Sequence, residues 1–265
     1  MGAAKGRQVW MRLRSTAKIG QNRHFLSRLR RLRTMPPMPA ASRQLLLCLA
    51  SGQDSPLGRL QRFTRLPAGG WVADGAMVPV TLGRAGLAWG RGLHPAMPGR
   101  QKCEGDGRSP AGIFAVTARF GLAEPGSTLA NAAKLPCLRA TRDLKCIDDP
   151  ASANYNRIVD QTAIARPDWV SCEDMLRGDG RYAVGAVVGH NCDPVVAGAG
   201  SCIFLHVWEA PGMPTAGCTA MALADMSRIA AWLDGAAAPL LVQLPQAEYE
   251  RLRIDWRLPE FAAPG

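Results

Sequence analysis

The sequence contains no long apolar run, and this absence excludes an integral membrane protein built on helices. The run that comes closest, Leu45 to Ala50, has six residues. A membrane-crossing helix needs about 20 apolar residues. A secretory signal peptide needs an apolar core of about 7 to 15 residues, so the sequence also has no convincing signal for export.

Acidic residues are absent from the first 43 positions, which carry eleven Lys and Arg residues. The rest of the chain has equal numbers of basic and acidic residues, so the formal net charge of +11 belongs to this arm. Such a charged segment cannot build a core and is predicted to be disordered over residues 1–42. The arm either contacts an anionic surface or is a solvated tail, and nucleic acid is not an expected partner.

Cysteine is too scarce for a scaffold built on disulfides, with eight in 265 residues. If the domain is exported, Cys146 has two candidate partners, Cys137 and Cys202, and the sequence does not choose between them. One set of residues could form a Cys3His zinc site: Cys192, Cys202, His206 and Cys218. Because no C-x2-4-C pair is present, no metal and no cofactor is predicted.

From residue 44 onward, short apolar segments alternate with Gly/Pro turns, the pattern of a β-sandwich or barrel. The last core strand is predicted at 240–244, and a short amphipathic helix follows it. The polar segment 121–181 is expected to supply an active-site lid. His94 and His190 are interpreted as packing residues at a loop and a strand end.

Residues 201–221, SCIFLHVWEAPGMPTAGCTAM, hold the chemistry that organises the chain. A predicted strand, CIFLHVW, carries His206, and Cys218 follows twelve residues later. A cysteine attacks as its thiolate, so a nearby imidazole or helix N-terminus is expected to lower the thiol pKa. Residues 222–233 have helical apolar spacing, which predicts that Cys218 lies just ahead of a helix. The N–H groups of Gly217 and Cys218 are predicted to stabilise an oxyanion.

This stretch resembles the signature of the L,D-transpeptidase catalytic domain, a His followed after a loop by Ser/Thr-x-Gly-Cys. Here the matching residues are His206, Thr215, Gly217 and Cys218. A second segment, GDGRSPAGIF, is similar to the family's Ser/Thr-Pro-x-Gly-x-Phe element through Ser109, Pro110, Gly112 and Phe114. The chain departs from the pattern at Ala220, where the family commonly has Arg or Asn, and in a shorter His-to-Cys spacing.

Three residues are candidates for substrate binding: Thr215, Arg108 and Tyr155. Thr215 belongs to the cysteine motif. Arg108 either contacts a substrate carboxylate or is solvated. Tyr155 either binds substrate, orients His206, or packs with its hydrogen bonds satisfied. These alternatives stay open at the level of sequence.

The resemblance implies a mainly β, L,D-transpeptidase-like domain over residues 43–245, followed by a C-terminal helix and tail at 246–265. It implies a monomeric acyltransferase of the bacterial periplasm or cell envelope that acts on peptidoglycan stem peptides and so affects cell-wall biogenesis and cell shape. Cys218 would form the thioester, and His206 would be the general base and acid. The alternatives are a carboxypeptidase on the same fold, or a non-catalytic wall-binding or zinc-stabilised module.

Overall fold

Strands dominate the computed structural model, which describes residues 38–122 and 135–261. The prediction of a mainly β protein is confirmed. Residues 1–37, which make up most of the predicted basic arm, lie outside the described residues. The strands are β1 (Gln44–Ala50), β2 (Leu57–Arg65), β3 (Trp71–Ala73), β4 (Val78–Thr81), β5 (Leu87–Trp89), β6 (Ser109–Gly121), β7 (Cys137–Arg139), β8 (Leu144–Ile147), β9 (Ile158–Asp160), β10 (Cys172–Asp174), β11 (Val184–Val188), β12 (Phe204–Val207), β13 (Thr219–Met221) and β14 (Leu240–Pro245). The α-helices are α1 (Leu223–Trp232) and α2 (Gln246–Leu252).

Eight of the strands close a barrel. Their order is β1, β14, β6, β11, β12, β13, β4 and β2, and antiparallel pairing of β2 with β1 completes the ring. Of the two predicted architectures, sandwich and barrel, the structure has the barrel. The short strands β3, β5 and β7 are added to β2 and β6 at its margins.

The parallel neighbours β1 and β14 form the most apolar part of the barrel. Every residue of QLLLCLA and of LLVQLP is buried, because α2 covers these two strands from outside while their other face joins the main core. A continuous apolar run is the sequence pattern of a strand buried on both faces. Each fully buried leucine contributes about 1.5–3 kcal/mol of transfer free energy, so this pair anchors the fold.

Helix α1 buries Met226, Ile229 and Ala230, which recur at helical spacing on one face. That face packs with Leu205 of β12 and Met221 of β13 in the main core. The opposite face of β12 carries Phe204, which belongs to a second apolar cluster. The helix therefore supports β12 and β13 from one side and leaves their other side for a site.

A separate three-stranded sheet, in the order β10, β8, β9, lies over the second cluster. The disulfide Cys146–Cys202 ties β8 of this sheet to the segment just before β12. Of the two pairings that the sequence allows, the structure has this one, and Cys137 is free. Sheet and disulfide together fix residues 144–174 beside the strand that carries His206.

Both α-helices in the described part of the chain are far shorter than the roughly 20 residues that a membrane-crossing helix needs, since α1 has ten residues and α2 has seven.

Candidate active site

Strand register brings His206 and Cys218 to one face of the barrel. β12 and β13 are parallel, and His206 pairs with Ala220. Because side chains alternate along a strand, Cys218 lies on the same face as Ala220 and therefore as His206. Both side chains line a cavity of about 140 Å³. Thr219 points the other way, and its hydroxyl donates to Gln243 Oε1 at 2.7 Å.

The backbone of Cys218 is fixed by two hydroxyl groups. Ser109 Oγ donates to the Cys218 carbonyl at 2.8 Å, and Thr215 Oγ1 donates to the same oxygen at 2.6 Å. Ser109 is held in turn, because its Oγ accepts the N–H of Gly83 at 2.8 Å. The segment that begins with Ser109 therefore holds the backbone of Cys218 in place, although the segment does not line the cavity.

The imidazole of His206 is oriented as a proton acceptor. Its Nδ1 lies 2.7 Å from the carbonyl oxygen of Val207, and since a carbonyl only accepts, Nδ1 carries the proton and Nε2 has the free lone pair. The ring of Tyr182 packs edge-on against it, with centroids 5.3 Å apart. Burial lowers the pKa of His206 to about 4, so the neutral, proton-accepting form prevails at pH 7.

The thiol of Cys218 is buried, and this reverses one prediction. Burial raises its pKa, and the charge of Glu173 raises it further, whereas the Phe204 N–H that donates to Sγ at 3.3 Å lowers it. The helix begins close to its predicted start, at Leu223, but β13 lies between it and Cys218. Cys218 and His206 are therefore both uncharged at rest, unlike the predicted thiolate, and the S–H group of Cys218 donates to the carbonyl oxygen of Cys202 at 3.5 Å.

We expect this pair to make Cys218 slow to alkylate near neutral pH. With limiting iodoacetamide at pH 6.5, the exposed Cys103 should be modified before Cys218, and the rate at Cys218 should rise as the pH increases because only the thiolate reacts. Peptide mass mapping against time measures both rates. Preferential modification of Cys218 at pH 6.5, slowed in His206→Ala, would instead indicate a thiolate–imidazolium pair.

The predicted oxyanion donors differ in availability. The N–H of Gly217 donates to Thr215 Oγ1 at 3.1 Å, so it is already engaged. No hydrogen-bond acceptor within the described residues takes the N–H of Cys218. The resting site thus keeps the Cys218 N–H available, and the prediction that Gly217 contributes a free donor requires correction. The hydroxyl of Thr215 accepts the N–H of Gly217 and donates to the Cys218 carbonyl oxygen, so it has a structural role. Thr215 also lines the cavity.

Two other residues that were predicted to bind substrate lie outside the lining of the Cys218 cavity. Arg108 is buried, with Nη1 donating to Asp54 at 2.7 Å and to the Leu87 carbonyl at 3.0 Å. Tyr155 is also buried, donates to Glu104, and accepts the N–H of Gly200 at 3.1 Å. Neither lines the cavity of Cys218, so the structure gives no support to the substrate-binding prediction for either residue. For Tyr155, the packing alternative with satisfied hydrogen bonds is confirmed.

The two other histidines have structural environments. His190 is buried, accepts the N–H of Arg91 at Nδ1 over 3.2 Å, and donates from Nε2 to Ala199 O at 2.9 Å. Its interpretation as a packing residue is confirmed. His94 packs among Trp89, Phe114 and Trp256, with ring centroids 5.7–5.9 Å away, and borders a different cavity.

The alternative zinc site is inconsistent with the covalent structure. Cys202 is bonded to Cys146, which removes one of the four proposed ligands. Across residues 38–122 and 135–261, no group of three His, Cys, Asp or Glu side chains is arranged to hold a metal ion.

Sequence reasoning missed the charged wall of the cavity. Glu173, Arg177 and Arg181 come from the polar middle of the chain, Tyr182 directly follows it, and Glu209 comes from the loop after β12. Only the assignment of 121–181 as a segment near the site pointed to them. These side chains make this wall of the cavity polar and charged.

In comparisons with known proteins, no family model and no curated protein matches this chain.

Proposed function

We propose that this protein is a cysteine acyltransferase of the L,D-transpeptidase type. The observation that carries the proposal is that Cys218 and His206, whose Nδ1 is held by the Val207 carbonyl, line one cavity. The resemblance of both motifs supports a peptidoglycan stem peptide as the acyl donor. The Cys146–Cys202 disulfide supports an oxidising location such as the periplasm.

Acylation starts from the neutral pair. As Sγ attacks the peptide carbonyl, the S–H proton passes to Nε2 of His206, and the carbonyl π electrons move to oxygen. The N–H of Cys218 is the available donor for that oxyanion. When the tetrahedral intermediate collapses, the C–N bond breaks and the imidazolium protonates the leaving amine. The products are a thioester on Cys218, a free amine and neutral His206.

Deacylation repeats these steps with a new nucleophile. An acceptor amine attacks the thioester carbonyl, His206 takes its proton, and Sγ leaves with that proton to restore the thiol. If water attacks, the same sequence gives a carboxylic acid and the protein is a carboxypeptidase. Transfer is the primary proposal because the resemblance favours it, and hydrolysis on the same fold is the second candidate.

Detection of the covalent intermediate tests the proposed function. After incubation with a stem tetrapeptide, or with a carbapenem that acylates enzymes of this family, intact mass should increase by one acyl group. Peptide mapping should assign that group to the peptide containing Cys218, and Cys218→Ser should form no thioester. Addition of an amine acceptor to the tetrapeptide reaction distinguishes a transfer product from a hydrolysis product.

The matched control is Cys103→Ala, which removes an exposed thiol that does not line the cavity and should leave the adduct unchanged. An adduct that moves to another cysteine contradicts the assigned nucleophile. Correctly folded protein that forms no adduct with either reagent favours the remaining alternative, a non-catalytic wall-binding module.

A further inference from the structure

Two backbone groups at the start of β12 contact the sulfur of Cys218. The N–H of Phe204 donates to Sγ at 3.3 Å, and the S–H group donates to the carbonyl oxygen of Cys202 at 3.5 Å. The two groups lie on either side of Ile203, and the thiol between them is buried. The position of Sγ therefore depends on the backbone of residues 202–204.

The two contacts are held in different ways. The peptide group between Ile203 and Phe204 is fixed by the barrel, because its carbonyl oxygen accepts the N–H of Val188, on β11, at 3.0 Å. The N–H of Phe204 belongs to the same planar group, so pairing with β11 also fixes its direction. The carbonyl of Cys202 belongs to the preceding peptide group, and its direction follows from the conformation of Cys202.

Cys202 has a backbone conformation that residues with a Cβ rarely adopt. Its φ is +51°, in the left-handed region, and such a conformation persists only where the surroundings hold it. Two ties hold it here: Asn156 Oδ1 accepts its N–H at 3.0 Å, and its sulfur is bonded to Cys146. Cys146 lies on β8, and Asn156 lies between β8 and β9. The separate sheet therefore sets the direction of the carbonyl that meets the thiol.

We propose that Cys202 is a positioning residue for Cys218, and that the left-handed conformation imposed by its disulfide and by Asn156 keeps Sγ where it attacks. This inference rests on the proposed function, since it concerns the acylation step. Rotation of the S–H bond about Cβ–Sγ carries the proton from the Cys202 carbonyl toward His206 and leaves Sγ in place. Acylation is then fastest where the disulfide can form, which is an oxidising compartment.

Two variants without the disulfide test this role. Cys146→Ala/Cys202→Gly and Cys146→Ala/Cys202→Ala both lack the bond, but only glycine adopts a positive φ without steric cost. With a saturating carbapenem, we expect the alanine variant to be acylated about tenfold to a hundredfold more slowly than the wild type, as for a nucleophile misplaced by about 1 Å. The glycine variant should recover much of this rate, and the half-saturating concentration should stay the same in both.

The rate constant is the decisive quantity in this stopped-flow measurement. A smaller folded fraction would reduce the amplitude of acylation and leave its rate constant unchanged, so a merely structural role of the disulfide would not lower the rate constant. The matched control is Cys172→Ala, which removes a free thiol from β10 of the same separate sheet and should react like the wild type.

Asn156→Gly provides the test with the disulfide intact if neither double variant folds. Asn156 has φ of +60°, so glycine suits its backbone, and the substitution removes the amide that holds the N–H of Cys202. The acylation rate constant should fall in this variant as well. A folded Asn156→Gly protein with the wild-type rate constant overturns the inference.

Alkylation by iodoacetamide separates the inference from the proposed function, because it needs no acyl donor. Loss of the bond to the Cys202 carbonyl favours the thiolate of Cys218, so the alkylation rate should rise at a lower pH in the alanine variant than in the glycine variant. Equal pH profiles, or equal acylation rate constants in these two variants, overturn the positioning role while the proposed function stands. Different pH profiles without acyl-enzyme in any form, wild type included, refute the acyltransferase and leave Cys202 as the residue that positions the thiol.

Discussion

Replacing His206 with alanine should lower the rate of acyl-enzyme formation by about 10²- to 10⁴-fold, the usual contribution of a general base. The resting thiol is protonated and buried, so attack requires a nearby group that takes its proton. Cys218→Ala should remove the covalent reaction altogether. Stopped-flow or quenched-flow measurement of acylation gives both rates, and thermal unfolding followed by circular dichroism reports whether each variant is folded.

The dependence of the acylation rate on pH provides an independent check. Since burial depresses the pKa of His206 to about 4, the base form is lost only as the pH falls through about 4. The acid limb of the wild-type profile should therefore lie well below the ordinary histidine value of about 6.5. A limb near 6.5, or a His206→Ala variant with wild-type acylation, would refute the assigned role.

Replacing Gly112 with alanine should destabilise the protein by about 2–5 kcal/mol, through overpacking and backbone strain together. Gly112 has φ of +138°, and an added Cβ would lie 1.8 Å from Nε2 of His94. His94 cannot easily move aside, because it is buried among the rings of Trp89, Phe114 and Trp256. Urea denaturation measures the change in the free energy of unfolding.

Two further variants separate the contributions. Gly52→Ala is the matched control, since a Cβ there meets nothing within 4 Å, and it should change stability by less than about 0.5 kcal/mol. Adding His94→Ala to Gly112→Ala should recover the part of the loss that is due to overpacking. If Gly112→Ala unfolds like Gly52→Ala, the close packing of Gly112 against His94 does not control stability.

Local sequence patterns predicted several elements of the fold, but not the strands β7 to β10 of the polar segment 121–181. The apolar run Leu45 to Ala50 lies within β1, and α1 occupies 223–232 within the predicted 222–233. Both patterns are set by burial of neighbouring residues in the chain. Closure of the barrel depends instead on pairing between β1 and the distant β14, which no local pattern encodes.

The site could be predicted only where its chemistry is local. His206 lies on β12 and Cys218, twelve residues later, directly precedes the neighbouring strand β13, so their motif brought them together. Arg108 and Tyr155 were misplaced because their partners, Asp54 and Glu104, are 54 and 51 residues away in sequence. The pKa of Cys218 was predicted in the wrong direction for a similar reason, since burial by distant elements outweighs any effect of a neighbouring helix.

The closed ring of eight strands also affects how copies of the protein meet at high concentration. Each barrel strand has a hydrogen-bonded neighbour on both sides, so its backbone groups are largely used within the chain. Proteins aggregate by edge-to-edge sheet growth when unpaired backbone groups of one molecule template another. In the described part of the chain, edge-to-edge sheet growth is therefore restricted mainly to the short strands at the margin of the barrel. This restriction favours colloidal stability and does not depend on surface charge.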